Sequence, residues 1–555
     1  MHRRWLLRGV TAVALAAAVM LGARSAPSIK NSTAAGNASA VTGVLEGSQL
    51  AVTPDATYRP DYRATPPTPT AAQRQASEAQ MARSAAAWAA RKPQGPAKYP
   101  VPGPSAGTGI SVGGQGVSPS AVSPNAPGDA MVFRNSALAP SCTNCGSSVV
   151  NEPSHAAAGK NIFYTGNWYA ARSVNTGVSW GYINPYADFP SFCCDQDVIY
   201  DRGRNLHLWE RQGVYGTPAG QNLFKLSAST DGGATFCTYT LQPTSFNSTF
   251  TNQWFDYPHM AVSNNYLYLT FNMFTGGGAF LRHILMKWSL DQVAACASVG
   301  ITYWTQTAGW SWTPVQGTTD QMYLGDQLNP AGTLGFRVYW QPESNSSLFS
   351  VDRTVPAWTF TNGNAVCTVP NGANPCARSD QRVLQGWVTR KTTGNTIGFS
   401  FNVAQGGTFP KPYTNVFLFN ESGLTYNSRP YAWNSTGAWM YASFAPNVRG
   451  DLAGTAIFVP TGAYPRDYVL YRDDFSPAGW ASAFVTASTG WLTSAQGGDK
   501  MGDYTRTRAF NPTGTFWSAS NYVGLVSGTS AVYVPRYFVF GRQRDLRGWL
   551  RFGGS

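Results

Sequence analysis

One eight-residue pattern occurs twice in the chain and limits its possible folds more than any other feature. The segments RSVNTGVSWG and SASTDGGATF both contain Ser, any residue, Asn or Asp, any residue, Gly, any residue, Ser or Thr, and an aromatic residue, at 173–180 and 229–236. An Asn or Asp side chain can satisfy backbone N–H groups inside a tight turn, and Gly accepts a left-handed backbone. The pattern therefore predicts the same turn at the same place in two repeated units.

A longer repeat surrounds these turns. Strand openings that begin with an acidic residue recur as NEPSHAAA, CDQDVIYD, FDYPHMAV, TDQMYLGD, SDQRVLQG and GDYTRTRA, and SRPYAWNS carries Arg429 in the place of the acid. The first acids are 43, 61, 64 and 60 residues apart. Aromatic strands such as NYLYLTFN and GAWMYASF follow the openings. About four strands per repeat predict an all-β protein, a β-propeller over residues 131–555 with seven blades, or six as the alternative.

The N-terminal part differs in composition. Residues 1–26 have a basic start, an apolar run and small residues, which predicts a cleaved signal peptide and a secreted protein, extracellular or periplasmic. Residues 27–130 are rich in Ala, Pro, Ser and Gly, which predicts a disordered low-complexity linker or pro-segment. Within it, AAQRQASEAQMARSAAAWAARK contains good helix formers and predicts an isolated helix.

Because a secreted protein folds in an oxidising compartment, we expect its cysteines to form disulfides. The eight are Cys142, Cys145, Cys193, Cys194, Cys237, Cys296, Cys367 and Cys376. Cys367 and Cys376 bracket a Pro- and Gly-containing loop and are expected to pair. Cys142 and Cys145 resemble half of a zinc or redox site, but no second such pair follows. We therefore expect them to be joined to Cys193 and Cys194, with a bond between the adjacent Cys193 and Cys194 as the alternative.

Charge excludes one class of partner. The net charge is +13, but residues 131–555 hold 28 Lys and Arg against 22 Asp and Glu, without a basic cluster. Nucleic-acid binding is therefore not indicated. No apolar stretch beyond the N-terminus approaches the length of a membrane span. We expect a monomer.

The repeated turn pattern is that of the Asp-box. In it the chain resembles the sialidase-like Asp-box (BNR-repeat) β-propeller superfamily, specifically at 173–180 and 229–236 and loosely over the rest of 131–555. The resemblance implies that these turns lie away from the active face and that the partner is an extracellular glycan or glycoconjugate. It also implies a Tyr nucleophile activated by a Glu, an Asp acid/base and three Arg that hold a substrate carboxylate. The Tyr/Phe-Arg-Ile-Pro element of the family is represented only by FRNSAL, with Arg134.

The strand openings are the place to search for a site, because the first strand of each propeller blade lines the central channel. Neighbouring carboxylates push their pKa values apart and can supply an acid and a base or nucleophile. The predicted catalytic residues are Asp195, Asp256, Tyr257, His259, Asp320 and Tyr504. The predicted substrate-binding residues are Glu152, His155, Asp380, Arg429 and Arg506. Each acid or His taken alone also fits a structural role, such as capping a loop.

Three functions fit these residues. The first is a sialidase-like glycoside hydrolase. The alternatives are a glycan- or protein-binding propeller without catalysis and a lyase for uronic-acid polysaccharides, in which His or Tyr would move the proton and Arg would neutralise the uronate. No cofactor is required, although a ring of carboxylates could hold a structural Ca²⁺. The chain contains no HExxH, Walker-type or Gly-x-Ser-x-Gly motif.

Overall fold

The computed structural model describes residues 41–91, 129–139, 151–328, 335–359, 361–380, 382–476, 479–493, 501–527 and 530–552. The predicted signal peptide lies outside these residues, as do Cys142 and Cys145. Strands make up most of the regular secondary structure of the described chain, which confirms the all-β prediction. Its helices are α1 (Ala71–Ala90), α2 (Pro243–Phe246), α3 (Leu290–Ala294) and α4 (Leu546–Leu550). None of the helices in these ranges is long and apolar enough to cross a membrane.

The strands group into successive units of mostly four, arranged in chain order. The N-terminal part supplies β1 (Gly43–Glu46), β2 (Ser48–Val52), β3 (Ala56–Tyr58) and β4 (Ala130–Ala137). The first unit contains β5 (Ser154–Ala158), β6 (Asn161–Thr165), β7 (Ala170–Ser173) and β8 (Gly181–Ile183). The second contains β9 (Phe192–Asp201), β10 (Leu206–Gly213), β11 (Phe224–Ser229) and β12 (Phe236–Leu241). The third contains β13 (Gln253–Val262), β14 (Tyr266–Thr275), β15 (Phe280–Ser289) and β16 (Val299–Gln306).

The second half of the chain continues in the same way. The fourth unit contains β17 (Thr313–Gln316), β18 (Gln321–Gln327), β19 (Phe336–Pro342) and β20 (Ser347–Arg353). The fifth contains β21 (Val383–Lys391), β22 (Gly394–Val403), β23 (Tyr413–Asn420) and β24 (Tyr426–Ser428). The sixth contains β25 (Gly437–Pro446), β26 (Leu452–Pro460), β27 (Arg466–Arg472) and β28 (Ala481–Ala487). The last contains β29 (Arg506–Ala509), β30 (Trp517–Ser527) and β31 (Ser530–Arg542), completed by β4.

The first strands of the units form a ring. Contacts join β5 to β9, β9 to β13, β13 to β17, β17 to β21, β21 to β25, β25 to β29, and β29 back to β5. β17 and β21 also pair in parallel, so the fourth and fifth units share one nine-stranded sheet. The later strands of each unit follow outward, which is a propeller-like arrangement. Aromatic side chains fill the space between sheets: Trp209 is fully buried, with its ring centroid 5.1 Å from that of Phe163 and 5.5 Å from that of Phe236.

The ring is closed by a strand from early in the chain. β4 pairs antiparallel with β31 at the other end of the sequence. Arg542, the last residue of β31, is fully buried, and its guanidinium is 3.1 Å from Asp129 beside β4 and 2.9 Å from Asp473. Backbone pairing and a buried ion pair therefore hold the closure together.

Residues 41–91 are ordered against the sheets, so the prediction of a disordered linker is wrong for this part of 27–130. β1 pairs with β20, β2 with β16 and β3 with β12, each as an additional outermost strand. Unpaired backbone groups on a sheet edge accept an extra strand without any particular side-chain pattern. The predicted helix exists as α1, but it is packed rather than isolated, because Ser77, Ser84 and Trp88 are buried.

The two repeated turns have matching hydrogen bonds. The Ser173 hydroxyl donates to the Asn175 side chain at 2.8 Å and accepts from the Gly177 N–H at 2.9 Å. In the second turn, the equivalent bonds from Ser229 to the Asp231 side chain and from the Gly233 N–H to Ser229 are 2.7 and 2.8 Å. Both turns join the third and fourth strands of their units.

Three disulfides connect described residues. The predicted Cys367–Cys376 bond is confirmed, and Cys237–Cys296 joins β12 to the segment after α3. Cys193 bonds to its neighbour Cys194, so the expected link from this pair to Cys142 and Cys145 is wrong and the alternative is present.

Candidate functional site

Acidic residues from five units meet at the end of the ring where the inner strands begin. Asp195 and Asp256 lie near the starts of β9 and β13, while three more precede β5, β21 and β29. All five are buried, with side chains in mutual electrostatic range. We call this end of the ring the mouth and define it by Glu152, Asp195, Asp256, Asp380 and Asp503.

Two arginines that the sequence analysis did not select lie among these acids. The Arg382 guanidinium is 2.8 Å from an oxygen of Asp380 and 2.8 Å from Asp503, and Arg378 is 2.9 Å from the other oxygen of Asp503. Burial acts to raise the pKa of the Asp503 carboxyl, but the two arginines outweigh it and hold that pKa below its usual range. The arginines thus already have carboxylate partners.

Glu152 and Asp195 form a carboxyl pair. Glu152 accepts the Asp503 backbone N–H at 3.0 Å and the Asn167 amide at 2.5 Å. Burial, and after it the charge of Glu152, raise the pKa of Asp195 well above its usual range. The neighbouring charge of Glu152 and the burial of the site both favour the protonated form of Asp195. The mouth therefore contains a carboxyl group that holds its proton more firmly than an ordinary aspartic acid does.

Asp256 is the carboxylate that meets α1. Its Oδ1 accepts the Ser84 hydroxyl at 3.0 Å and the Gln212 amide at 3.2 Å, and its Oδ2 accepts the Trp88 indole N–H at 3.0 Å. Burial raises the pKa of Asp256 to about 6. The helix thus lies directly over the mouth.

Tyr257 and His259 project together, as the strand alternation predicts. Their ring centroids are 4.3 Å apart, and Tyr257 has a left-handed backbone (φ 60°) where β13 shifts register against β14. Such a bulge re-aims a side chain. His259 Nδ1 accepts from Arg506 at 3.1 Å, which places the ring proton on Nε2. The Tyr257 hydroxyl and His259 Nε2 have no hydrogen-bond partner among the described residues.

The tyrosines are not activated as nucleophiles in this state. Burial raises the pKa of Tyr257 far above the ordinary phenol value, and it does the same for Tyr504. The Tyr504 hydroxyl also donates to the Gln196 carbonyl at 3.1 Å, so it is already used. Burial and Arg506 hold the pKa of His259 well below its usual range, which keeps this ring neutral.

A buried carboxylate supports the site from below. Asp197 Oδ1 accepts the Ser154 hydroxyl at 2.7 Å and lies 3.3 Å from both Arg506 and Arg508, while its Oδ2 accepts the Met260 N–H at 2.8 Å. Burial acts to raise the pKa of Asp197, but Arg506 and Arg508 lower it below the usual range. Asp197 therefore fixes Arg506, which in turn fixes His259.

Three predicted site residues do not reach the mouth. Asp320 is exposed in the turn after β17, at the opposite end of an inner strand, because TDQMYLGD forms the second strand of its unit rather than the first. Arg429 follows β24 and donates to Asn415 at 2.6 Å and to Tyr413 at 2.7 Å, which is a structural contact. His155 is buried between sheets, 2.8 Å from the Ser518 hydroxyl.

The remaining predicted residues do come together: Glu152, Asp195, Asp256, Tyr257, His259, Asp380, Tyr504 and Arg506. The sequence analysis missed Arg378 and Arg382, although both flank Asp380 in CARSDQR, and that pairing of charges was a usable signal. It also missed Tyr441, whose left-handed backbone (φ 52°) and unpartnered hydroxyl, judged against the described chain, repeat those of Tyr257. Across the described ranges, no group of three or more His, Cys, Asp or Glu side chains is arranged to hold a metal ion.

Comparison with known proteins gives distant likenesses. No protein-family profile matches the chain, and no curated protein matches it in sequence. Among solved structures it is similar to an α-L-arabinanase of Penicillium chrysogenum (10% identity, TM-score 0.36, 75% of this chain and 99% of that chain). It is similar to a sialidase of Trypanosoma rangeli (10%, 0.34, 70% and 68%) and to an ulvan lyase of polysaccharide lyase family PL25 (8%, 0.30, 60% and 79%).

Proposed function

We propose that residues 131–555 form a seven-bladed β-propeller. The ring of seven inner strands, β5, β9, β13, β17, β21, β25 and β29, supports this number. The matched hydrogen bonds of the turns at 173–180 and 229–236 support their assignment as Asp-boxes. The turns join third and fourth strands, so they lie at the end of the ring opposite the mouth, as the resemblance implies.

We propose that the protein is a carbohydrate-active propeller of the glycoside hydrolase type that acts on extracellular glycans. The observation that carries this proposal is the group of buried carboxyl side chains Glu152, Asp195 and Asp256 at the mouth, in which burial and the charge of Glu152 raise the pKa of Asp195. A neutral acid next to further carboxyl groups is what protonation of a leaving group and activation of water or of the sugar require. Asp195 has the role of acid, and Asp256 or Glu152 that of the second carboxyl group.

The charges at the mouth favour a neutral sugar. Arg378 and Arg382 are both paired with Asp503, and Arg382 also with Asp380, so neither is free to bind the carboxylate of a sialic or uronic acid. Sugar hydroxyls are hydrogen-bond donors, and carboxylates are strong acceptors for them. We therefore place neutral glycans ahead of sialylated ones.

A lyase is the second candidate. The unpartnered Tyr257 hydroxyl and the neutral His259 are groups that could move a proton next to a substrate carbonyl. A lyase would need an arginine to leave its carboxylate partner and bind the uronate of the substrate. We therefore rank the lyase below the hydrolase.

Product analysis separates these functions. The full chain is incubated with arabinan, galactan, sialylated and uronic-acid oligosaccharides, and the products are followed by mass spectrometry. We expect products with an added water. Unsaturated products would establish a lyase instead, and retained glycan without any product would establish a binding protein.

Two variants test the assignment of the acid. Asp195→Asn is expected to slow hydrolysis by roughly 10²- to 10⁴-fold, the usual contribution of a general acid. Asp320→Asn, at the opposite end of the ring, is the matched control and should leave the rate unchanged. Equal losses in both variants would show that Asp195 is not the acid.

Localisation and metal binding are separate proposals. The Cys237–Cys296 and Cys367–Cys376 bonds support an extracellular or periplasmic protein, because such bonds persist in oxidising compartments. The structural Ca²⁺ stays a prediction, and comparing thermal unfolding with EDTA and with added Ca²⁺ tests it.

The oligomeric state also stays a prediction. Size-exclusion chromatography tests the expected monomer.

A further inference from the structure

Helix α1 lies across the mouth and contacts the rims of several units. Ser77 lies 3.3 Å from the Tyr186 hydroxyl after β8, and Gln80 accepts the Tyr215 N–H at 3.0 Å after β10. Arg83 donates to the Gly276 carbonyl at 2.5 Å after β14. At the end of the helix, Arg91 donates to the carbonyl of Trp310, between β16 and β17. The helix therefore covers the mouth from the loop after the first unit to the loop before the fourth.

The face by which α1 is bound is not that of a core helix. Its buried residues are Ser77, Gln80, Ser84, Ala87 and Trp88. A helix that belongs to a hydrophobic core buries a stripe of large apolar side chains, whereas this face holds one such side chain among small and polar ones. Trp88 packs against Tyr257 and Phe274. The other buried side chains of this face contact the mouth and its rim through hydrogen bonds, which water or a ligand can replace.

At the centre of this face, Ser84 and Trp88 present two hydrogen-bond donors and an apolar ring, the same kinds of group that a bound sugar presents. Asp256 receives an O–H donor from Ser84 on one oxygen and an N–H donor from Trp88 on the other. The Arg382 guanidinium contacts two rings, 4.3 Å from the Trp88 ring centroid and 4.3 Å from that of Tyr257. Two adjacent sugar hydroxyls could take the place of the two donors, and the C–H face of the sugar could replace the indole.

We propose that α1 is an intramolecular cover that occupies the ligand site, so that the chain as described is a latent form. The occupant that displaces α1 is a neutral glycan whose adjacent hydroxyls bind Asp256. The identity of this occupant rests on the proposed carbohydrate function. The covering of the mouth by α1 does not.

A pair of variants at Ser84 tests the cover. Ser84→Asp puts a second carboxylate against Asp256, whereas Ser84→Asn has nearly the same size and keeps a donor. Trp88 is unchanged in both, so any opening reports movement of the helix. We expect the backbone amides of α1 to exchange with deuterium at least tenfold faster in Ser84→Asp than in Ser84→Asn, while β9 and β13 exchange alike. Equal protection of α1 in the two variants would overturn the proposal.

Glycan binding to the same variants tests the occupant. Arabinan, galactan and polysialic acid oligosaccharides serve as probes on an array. We expect Ser84→Asp to bind a neutral probe at least tenfold more tightly than Ser84→Asn and wild type. Opening of α1 without any bound glycan would refute the carbohydrate function and leave the cover established. Wild type binding a neutral probe as tightly as Ser84→Asp would overturn the cover.

A second route avoids a new buried charge, in case Ser84→Asp does not fold. Arg83→Ala with Arg91→Ala removes rim contacts of α1 and leaves every mouth residue intact. This double variant is expected to show the same faster exchange and tighter neutral-glycan binding. Glu78→Ala on the exposed face of α1 is its control. Exchange in the double variant no faster than in Glu78→Ala would count against the cover.

Discussion

Asp197→Asn is expected to have a large effect on stability. The wild-type carboxylate accepts hydrogen bonds from Ser154 and the Met260 N–H and lies between Arg506 and Arg508, all of them buried. The amide would leave two guanidinium groups without their carboxylate and would turn one acceptor into a donor. Removing one partner of a buried ion pair costs about 3–5 kcal/mol, so we expect a loss of about 4 kcal/mol in the free energy of unfolding.

The assay is thermal unfolding followed by calorimetry. The entropy of unfolding is about 2.1 cal/mol/K per residue, or roughly 0.9 kcal/mol/K for the 445 described residues, so the loss should lower the melting temperature by about 4 °C. Asp291→Asn, an exposed ion-pair carboxylate, is the control and should change it by less than about 1 °C. A shift for Asp197→Asn no larger than this control would refute the role of the buried carboxylate.

The pH dependence of the same variant gives a second check. The pKa of Asp197 is depressed in the folded protein, so its stabilising contribution is present above the pKa of an unfolded Asp, about 3.9, and is lost as the pH falls through the lower folded value. The difference in melting temperature between wild type and Asp197→Asn should therefore shrink below about pH 4. A difference that grows in acid would contradict the ion-pair account.

Three further predictions concern the cover, the disulfides and the closure of the ring. Burial raises the pKa of Asp256 to about 6 against the opposing hydrogen bonds from Gln212 and Trp88. We therefore expect docking of α1 to weaken as the pH rises through 6, seen as faster amide exchange in α1 after correction for the intrinsic rate; slower exchange would contradict this. The charged groups that face Asp256 are Asp195, Arg382 and Asp503. Replacing both cysteines of Cys237–Cys296 by Ala should cost about 4 kcal/mol, against about 2.5 kcal/mol for the shorter Cys367–Cys376 loop, and calorimetry should reproduce that order. Arg542→Met should cost about 3 kcal/mol and raise amide exchange in β4 more than in β5; uniform exchange would refute local opening.

The sequence predicted most of the mouth because acids opening inner strands are a local pattern. Glu152, Asp195, Asp256 and Asp380 were found in this way. The pattern failed where an inner strand has no acid at its start. β17 is four residues long and contains Pro314, so the acidic pattern points to the next strand, which begins beside Asp320. β25 begins at Gly437 without an acid, and the pattern points to the preceding Arg429.

The N-terminal part could not be predicted for a different reason. Composition measures whether a segment can bury its own apolar side chains, but β1–β3 are held by backbone hydrogen bonds to the edges of existing sheets. The helix-forming residues of α1 predicted the helix itself. Its docking through Ser84 and Trp88 depends on acceptors supplied by a distant strand, which no local pattern reports.

The pairing of β4 with β31 has a consequence for how the chain folds. The strand that completes the last sheet is made before any of the inner strands, and its partner is made last. The same holds for β1, β2 and β3, whose pairing partners follow them by many residues in the sequence. Contacts between such distant parts of a sequence are slow to form. The ring therefore cannot close through β4 and β31 while the chain is still being synthesised. A polypeptide that must cross a membrane before folding would complete its crossing before this pairing forms.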